Sequence, residues 1–103
     1  MSIDTDSLAS LRVLAEPVRW RIVELLAAEE LCVCHLVEML DASQSLISHH
    51  LRVLRNAGLV EAERFRYWTY YRLRLDSVDV LAARLAGLAR EAAAAGRPRR
   101  PCC

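Results

Sequence analysis

Lysine is absent from the 103 residues: all fourteen basic side chains are Arg, set against thirteen acids. A GC-rich genome imposes this kind of bias, although Arg also suits bidentate contacts with phosphate. No apolar run approaches the ~18 residues of a bilayer crossing, which excludes a transmembrane helix. The opening Met1-Ser2-Ile3-Asp4-Thr5-Asp6 is acidic where a secretory signal is basic, so the expectation is a cytoplasmic protein with no membrane partner. No repeat recurs at any period of roughly 20 to 50 residues, which excludes a solenoid or propeller. With roughly 100 residues needed per domain, there is no room for a second, catalytic one. At 54% hydrophobic and 26% charged, what is left is a single soluble globular domain.

The net charge of +1 is unevenly spread. Up to Asp41 there are three Arg against eight acids, from Ala42 to Arg74 six against two, and beyond that five against three. Positive charge therefore gathers in the middle and the tail. Leu8, Leu11 and Ala15, with Leu14 beside them, recur at helical spacing and predict a first helix over Ser7 to Ala15. Pro17 suits the opening turn of a second, whose stripe is Val18, Ile22, Leu25 and Leu26, with Trp20 adding bulk. Leu31 to Leu40 reads as a short helix through Val33, Leu36, Val37 and Leu40. Ser43 is a candidate N-cap for a helix to Ala57 whose core face is Leu46, Ile47, Leu51 and Leu54, with Gly58 at its C′ position. Two short helices across a tight turn make a helix-turn-helix.

Leu59 to Arg64 and Tyr67 to Leu75, rich in aromatic and β-branched residues around Phe65-Arg66, predict a two-stranded hairpin. Ser77 is expected to cap a final helix with Val78, Leu81, Leu85 and Leu88 on one face and Ala82, Ala89 and Ala92 beside it. The first and last helices carry more apolar surface than so small a core can cover, so burial against a second copy is expected. Gly96, Pro98 and Pro101 stop any helix, which divides the chain into a domain over residues 1–95 and a flexible, Cys-containing tail over 96–103.

Four Cys without a secretory signal read as thiols for metal or redox chemistry rather than as disulfides. Cys32 and Cys34 are the sharpest signal. Residues two apart on an ideal helix diverge by about 200°, so Cys32 should line up with Leu36 and Cys34 with Glu38. The pair then holds one ion only if the first helical turn distorts. The helix N-terminus is expected to favour thiolate over thiol at both; otherwise a Cys in an apolar helix is a small hydrophobe. His50 shares a face with Ile47 and Leu54 and is read as a satisfied, partly buried histidine, while His49 points away.

The segments Leu31-Cys32-Val33-Cys34-His35-Leu36 and Gln44-Ser45-Leu46-Ile47-Ser48-His49-His50-Leu51 lie in this order of elements. With Ala15-Glu16-Pro17-Val18-Arg19, Leu54-Arg55-Asn56-Ala57-Gly58-Leu59-Val60 and Tyr70-Tyr71-Arg72-Leu73, they closely resemble the ArsR/SmtB family of metal-sensing winged-helix repressors, over roughly residues 8 to 95. The resemblance implies a mainly α fold with a small β-hairpin: a winged helix-turn-helix, dimerised through its N- and C-terminal helices. It implies no enzyme and no organic cofactor. The helix from Ser43 would enter a major groove of double-stranded operator DNA, with Gln44, Ser45, Ser48 and His49 meeting base edges and phosphates and Arg52 and Arg55 further along. Arg64 and Arg66 on the wing would meet the backbone or a neighbouring minor groove. Relatives usually carry Gly in the wing turn where this chain has Arg66, after Phe65.

His35 stands where arsenic-sensing relatives commonly have Asp; it either orients or favours a neighbouring thiolate, or is a surface residue. Arsenite sites want three thiolates, and the position that supplies the third in one branch of the family is Val37 here. Cys102 and Cys103 are then the candidates, from the same or the partner subunit; alternatively, this vicinal pair forms its own binding or redox site, or is incidental. An Asp and His site on the last helix is disfavoured because no His follows His50. The expectation is a homodimeric repressor of an inverted-repeat operator, released when As(III) or Sb(III), as inducer, binds Cys32, Cys34 and a tail thiol. Cd(II) or Pb(II) is the alternative ion. A thiol redox sensor is another class, though the chain lacks a thioredoxin-like βαβ pattern.

Overall fold

Local chemistry sets most of the element boundaries. The computed structural model describes the backbone of residues 5–102 and the side chains of 6–102. In order come α1 (Thr5–Leu14), α2 (Pro17–Ala28), α3 (Val33–Leu40), α4 (Gln44–Asn56), β1 (Val60–Phe65), β2 (Trp68–Leu73) and α5 (Leu75–Ala94). Pro17 opens α2 while the Glu16 carboxylate accepts from the Arg19 N–H at 2.8 Å. Ser43 caps α4, its hydroxyl accepting from Leu46 N at 3.1 Å, and Gly58 follows that helix at φ +74, a conformation only glycine adopts freely. Asp41 ends α3 in the left-handed region at φ +50.

The core is built where α2, α3, α4 and the base of the hairpin meet. Ile22, Leu26, Leu31, Leu36, Ile47, Leu51, Leu54, Leu59 and Val60 form its buried cluster. β1 and β2 pair antiparallel from Val60↔Leu73 to Phe65↔Trp68. Leu31 adds a one-residue bridge to this hairpin, its N–H and C=O both bonded to Tyr71 at 3.2 and 2.8 Å. The end of the α2–α3 connection is thereby pinned to the wing.

Long-range pairing moves several boundaries from where periodicity alone puts them. The helix expected over Leu31 to Leu40 begins at Val33, because the bridge to Tyr71 draws Leu31 into extended backbone and leaves Cys32 as N-cap. The strands are shifted by a residue, since Phe65 pairs with Trp68 and the turn is Arg66-Tyr67. The last helix starts at Leu75 rather than after Ser77: the Arg74 N–H bonds to Leu59 O at 2.9 Å, and Arg74 is the N-cap. Leu46, expected on the core face of α4, is 41% exposed. The buried stripe is Ile47, His50, Leu51 and Leu54, and Leu46 lies one position outside it.

No residue of α5 is buried. Leu85 and Leu88 are exposed, as are Leu8 and Leu11 of α1. The single chain is elongated, 62 × 24 × 24 Å with a radius of gyration of 17.6 Å, where a compact chain of this length has ~13 Å. Past Gly96 the described tail, to Cys102, has neither helix nor strand.

Candidate metal centre and nucleic-acid interface

Cys32 has extended backbone, φ −94 and ψ 170, and its carbonyl accepts the first turn of α3 from His35 N and Leu36 N. It is therefore not a helical residue, and the expected 200° divergence from Cys34 does not apply. The two Sγ atoms approach to 2.8 Å with α3 regular. The expectation that the first turn must distort to bring them together is thus corrected: the cap position already does so. Cys32 is buried and Cys34 exposed, so one sulfur is fixed in the fold and the other faces solvent.

His35 completes the arrangement. The Cys32 N–H donates to its Nδ1 at 3.2 Å, the return half of a capping box with His in the place usually taken by Glu or Gln. With Nδ1 accepting, the ring proton belongs on Nε2. Nδ1 also lies 3.2 Å from Cys32 Sγ, and the ligating atoms of Cys32, Cys34 and His35 are all within 4.8 Å of one another. Of the two readings of His35, the orienting one matches this geometry. Two sulfurs and an imidazole make a donor set for a thiophilic ion.

The thiols are not both primed in the way the helix N-terminus suggested. The hydrogen bond with Cys32 pushes the Cys34 thiol above its ordinary value, burial and the neighbouring sulfur add to this, and the backbone N–H groups of His35 and Cys34 only oppose it. Cys102 is exposed and lies outside the Cys32–Cys34–His35 group. Cys103 lies outside the described residues.

Both sulfurs open into a cavity of about 450 Å³, shared with Gln44 at the start of α4 and with Tyr67, Trp68 and Thr69 of the wing. The ion-binding candidates and the first residue expected to read DNA thus border one space. The sequence carried no signal for this, because the cavity is lined by residues of α3, α4 and the wing that are far apart along the chain.

Along α4, Gln44, Ser45, His49, Arg52 and Arg55 are exposed and Ser48 is half-buried. The helix keeps these polar residues off its buried stripe and presents two guanidiniums without an acidic partner among the described residues. Arg64 and Arg66 are exposed on the wing; Arg64 Nε donates to Arg66 O at 3.3 Å, and the Arg66 guanidinium lies 5.6 Å from the Phe65 ring centroid. Arg66 adopts φ +58, the backbone that favours glycine. Arg72, part of the same basic segment, is paired: it bonds Glu61 at 2.6 Å, contacts Glu63, and reaches Glu30 at 3.7 Å. The hydrogen bonds with Glu61 and then Glu63 hold it still more firmly protonated. With Arg74 paired to Asp76 at 3.2 Å, the guanidiniums of the segment from Ala42 to Arg74 left for a polyanion are those of Arg52, Arg55, Arg64 and Arg66.

A third feature has no role that the sequence alone suggests. His50 is buried, with Nδ1 3.2 Å from Arg19 Nη1 and 3.8 Å from Glu16 Oε2. It is the satisfied core histidine expected. Its partners come from Ala15-Glu16-Pro17-Val18-Arg19, a segment whose sequence shows only the family resemblance.

A family model described as bacterial regulatory protein, arsR family, matches residues 16–62. Over 78 residues the sequence is 42% identical to the arsenic resistance transcriptional regulator ArsR1 of Pseudomonas putida, covering 75% of this chain and 61% of that relative. The chain therefore spans less than two thirds of that relative's own length. A solved structure described as a possible transcriptional regulator for arsenical resistance matches with a TM-score of 0.69 at 42% identity, over 76% of this chain and 81% of the other. The homodimeric winged helix-turn-helix DNA-binding domain of a possible regulator from Mycobacterium bovis shares the fold, with a TM-score of 0.69 at 24% identity over 94% of this chain and 89% of the other.

Proposed function

The chain belongs to the ArsR family of bacterial regulatory proteins, and from that premise we propose that it is a homodimeric transcriptional repressor released from operator DNA by As(III) or Sb(III). The observation that carries this reading is the convergence of the Cys32 and Cys34 sulfurs, with His35 beside them, at the cap of the helix that braces the reading helix. A relative named for arsenic resistance supports the choice of ion.

On this reading α4 lies in a major groove with Gln44, Ser45, Ser48 and His49 toward base edges, while Arg52, Arg55, Arg64 and Arg66 neutralise phosphates. The uncovered faces of α1 and α5 join two copies, so that two reading helices meet an inverted repeat. The dimeric domain from Mycobacterium bovis, which shares the fold, supports this arrangement.

Cys32 at the α3 cap and Cys34 in its first turn hold the inducer between their converging sulfurs, and a tail thiol, Cys102 or Cys103, supplies the third sulfur from the same or the partner subunit. Closing this set acts on the residue next to the Leu31 bridge and on the cavity that Gln44 borders. Ligand and operator then compete for the position of the first turn of α4, with a coupling of roughly 1–3 kcal/mol. His35 favours a second reading: two sulfurs and a nitrogen also suit Cd(II) or Pb(II). A gel shift on operator DNA, with arsenite, antimonite, Cd(II) and Pb(II) each added, tests both. Release by arsenite or antimonite but not by the divalent ions supports the first, the reverse supports the second, and no release by any rejects the inducer site.

A further inference from the structure

The tip of the wing carries more than its fold requires. Burial fades along β1, from buried Val60 to exposed Arg64 and Phe65, and none of Phe65, Tyr67 and Trp68 belongs to the core cluster. Phe65 is 61%, Trp68 56% and Tyr67 89% exposed. Phe65 and Trp68 are direct cross-strand partners, and Tyr67 stands beyond them in the turn. Rings left in water on this scale gain nothing in folding and mark a contact surface.

The charge around these rings selects the partner. Arg64-Phe65-Arg66-Tyr67-Trp68 interleaves guanidiniums with aromatics and contains no acid. Arg64 Nε is held on Arg66 O and the Arg66 guanidinium lies over the Phe65 ring, so both cations are kept at the tip. Neither has an acidic partner among the described residues, and Glu63, the acid next to Arg64, is taken by Arg72. An apolar groove on a protein would match the rings but bury two cations without anions. A polyanion with stackable bases matches both. Tyr67 and Trp68 border the same cavity as Gln44, which puts the tip on the side where α4 begins.

Building on the reading of α4 as the helix that lies in a major groove, we propose that the wing tip is a wedge for duplex DNA. Tyr67 enters the minor groove beside each half-site and stacks in a partly opened base step, while Arg64 and Arg66 hold the phosphates around it. Opening a step in this way bends the duplex toward its major groove. The cost depends on the step and is lowest for the flexible pyrimidine–purine steps, TA and CA/TG. The wing thus reads flexibility outside the bases that α4 contacts, and it needs no hydrogen bond to a base edge to do so.

The test uses the full-length chain and a duplex that it selects from a random pool. A fluorescent adenine analogue placed in turn at each flanking step reports unstacking, and the mobility of permuted fragments reports bending. On binding, the signal should rise at one step per half-site. Tyr67→Ala, which removes no core contact, should abolish that rise and the bend, weaken binding by roughly tenfold or more and leave the salt slope unchanged. Tyr67→Phe keeps the ring and should behave as the native chain does. Arg64→Gln/Arg66→Gln should instead lower the salt slope. Placing a stiff A-tract across the opened step should cost the native chain more affinity than it costs Tyr67→Ala. A native complex with neither signal nor bend, or a flank preference that persists in Tyr67→Ala, would overturn the proposal and leave the rings to another partner. Tighter binding to single strands than to duplex would replace the wedge with stacking on an open strand. If the native chain selects no duplex at all, the DNA-binding reading itself falls.

Discussion

The guanidinium of Arg19 meets the imidazole of His50 with 3.2 Å between Nη1 and Nδ1, joining the start of α2 to the buried face of the reading helix. The same Arg donates through Nε to Val13 O at 2.7 Å, so the end of α1 is held in one chain of contacts with α2 and α4. Since Nδ1 accepts from a guanidinium, this contact suits the neutral ring.

The pH dependence of stability should follow from that. Burial, foremost, lowers the His50 pKa from its ordinary 6.5; Glu16 opposes this, and Arg19 and His49 add to it. With the folded value below the unfolded one, the unfolded chain takes up the proton first on acidification. The His50 contribution is therefore intact above 6.5 and lost as pH falls from there through the folded value. Denaturant titrations at stepped pH should show this loss, and His50→Gln should flatten it. An unchanged profile in the variant would assign the dependence to other groups. His50→Ala leaves a partly buried Arg19 donor unpaired and should cost about 1–3 kcal/mol at neutral pH.

How much of this was legible in the sequence depends on range. Ser43, Gly58 and Pro17 announce helix ends because each acts within a turn of its own backbone, and their positions match. Cys32 does not follow the helical pattern because its geometry is decided by Tyr71, far along the chain, whose bridge to Leu31 stops α3 from starting earlier. The same distance hid the link from Arg19 to His50 and the cavity shared by Cys34, Gln44 and Trp68. Arg72 counted toward a basic segment although Glu61, Glu63 and Glu30 neutralise its charge within the hairpin and its neighbour. Composition counts charges; only pairing says which are free.

The wing turn offers a separation of stability from binding. Arg66 at φ +58 bears a strain of roughly 1 kcal/mol that glycine does not. Arg66→Gly should raise the unfolding free energy by somewhat less, because glycine also frees the unfolded chain. It should also leave one phosphate per subunit without its cation, lowering the salt slope of DNA binding by about 0.9 for each phosphate no longer neutralised. Thermal unfolding and binding titrations at several salt concentrations would read both. A fall in both stability and affinity would show the Arg side chain to be structural.

Gln44 should act on specificity. It is exposed in the first turn of α4 and makes no core contact, so Gln44→Ala should fold as before. If it reads a base as proposed, the variant should bind operator weaker by roughly 1–3 kcal/mol and non-operator duplex little changed. Equal weakening on both would refute base readout by this residue.

Cys32→Ser is a cleaner test of the proposed sensing thiols than its buried position suggests. Ser is a preferred N-cap, so the start of α3 should be kept. The variant should bind operator like the native chain and ignore arsenite, and so should Cys34→Ser, whose side chain is exposed. Failure to bind operator in the absence of ligand would make the thiols structural.

The proposed third sulfur for arsenite is open to a direct test in the tail. Cys102 is exposed and follows Gly96, Pro98 and Pro101, in a stretch with no helix or strand to fix it away from the site. It makes no core contact, so Cys102→Ser/Cys103→Ser should keep the dimer and its operator affinity. If a tail thiol is the third ligand, the arsenite response should weaken sharply. X-ray absorption on the arsenite complex should then count three sulfurs in the native chain and two in the variant. Single substitutions show which sulfur is used, and mild effects from both mean that the neighbours replace one another. Mixed dimers, with Cys32 and Cys34 removed from one subunit and the tail thiols from the other, tell whether the tail reaches its own site or its partner's. An arsenite response and sulfur count unchanged in thiol-free buffer would remove the tail from the site.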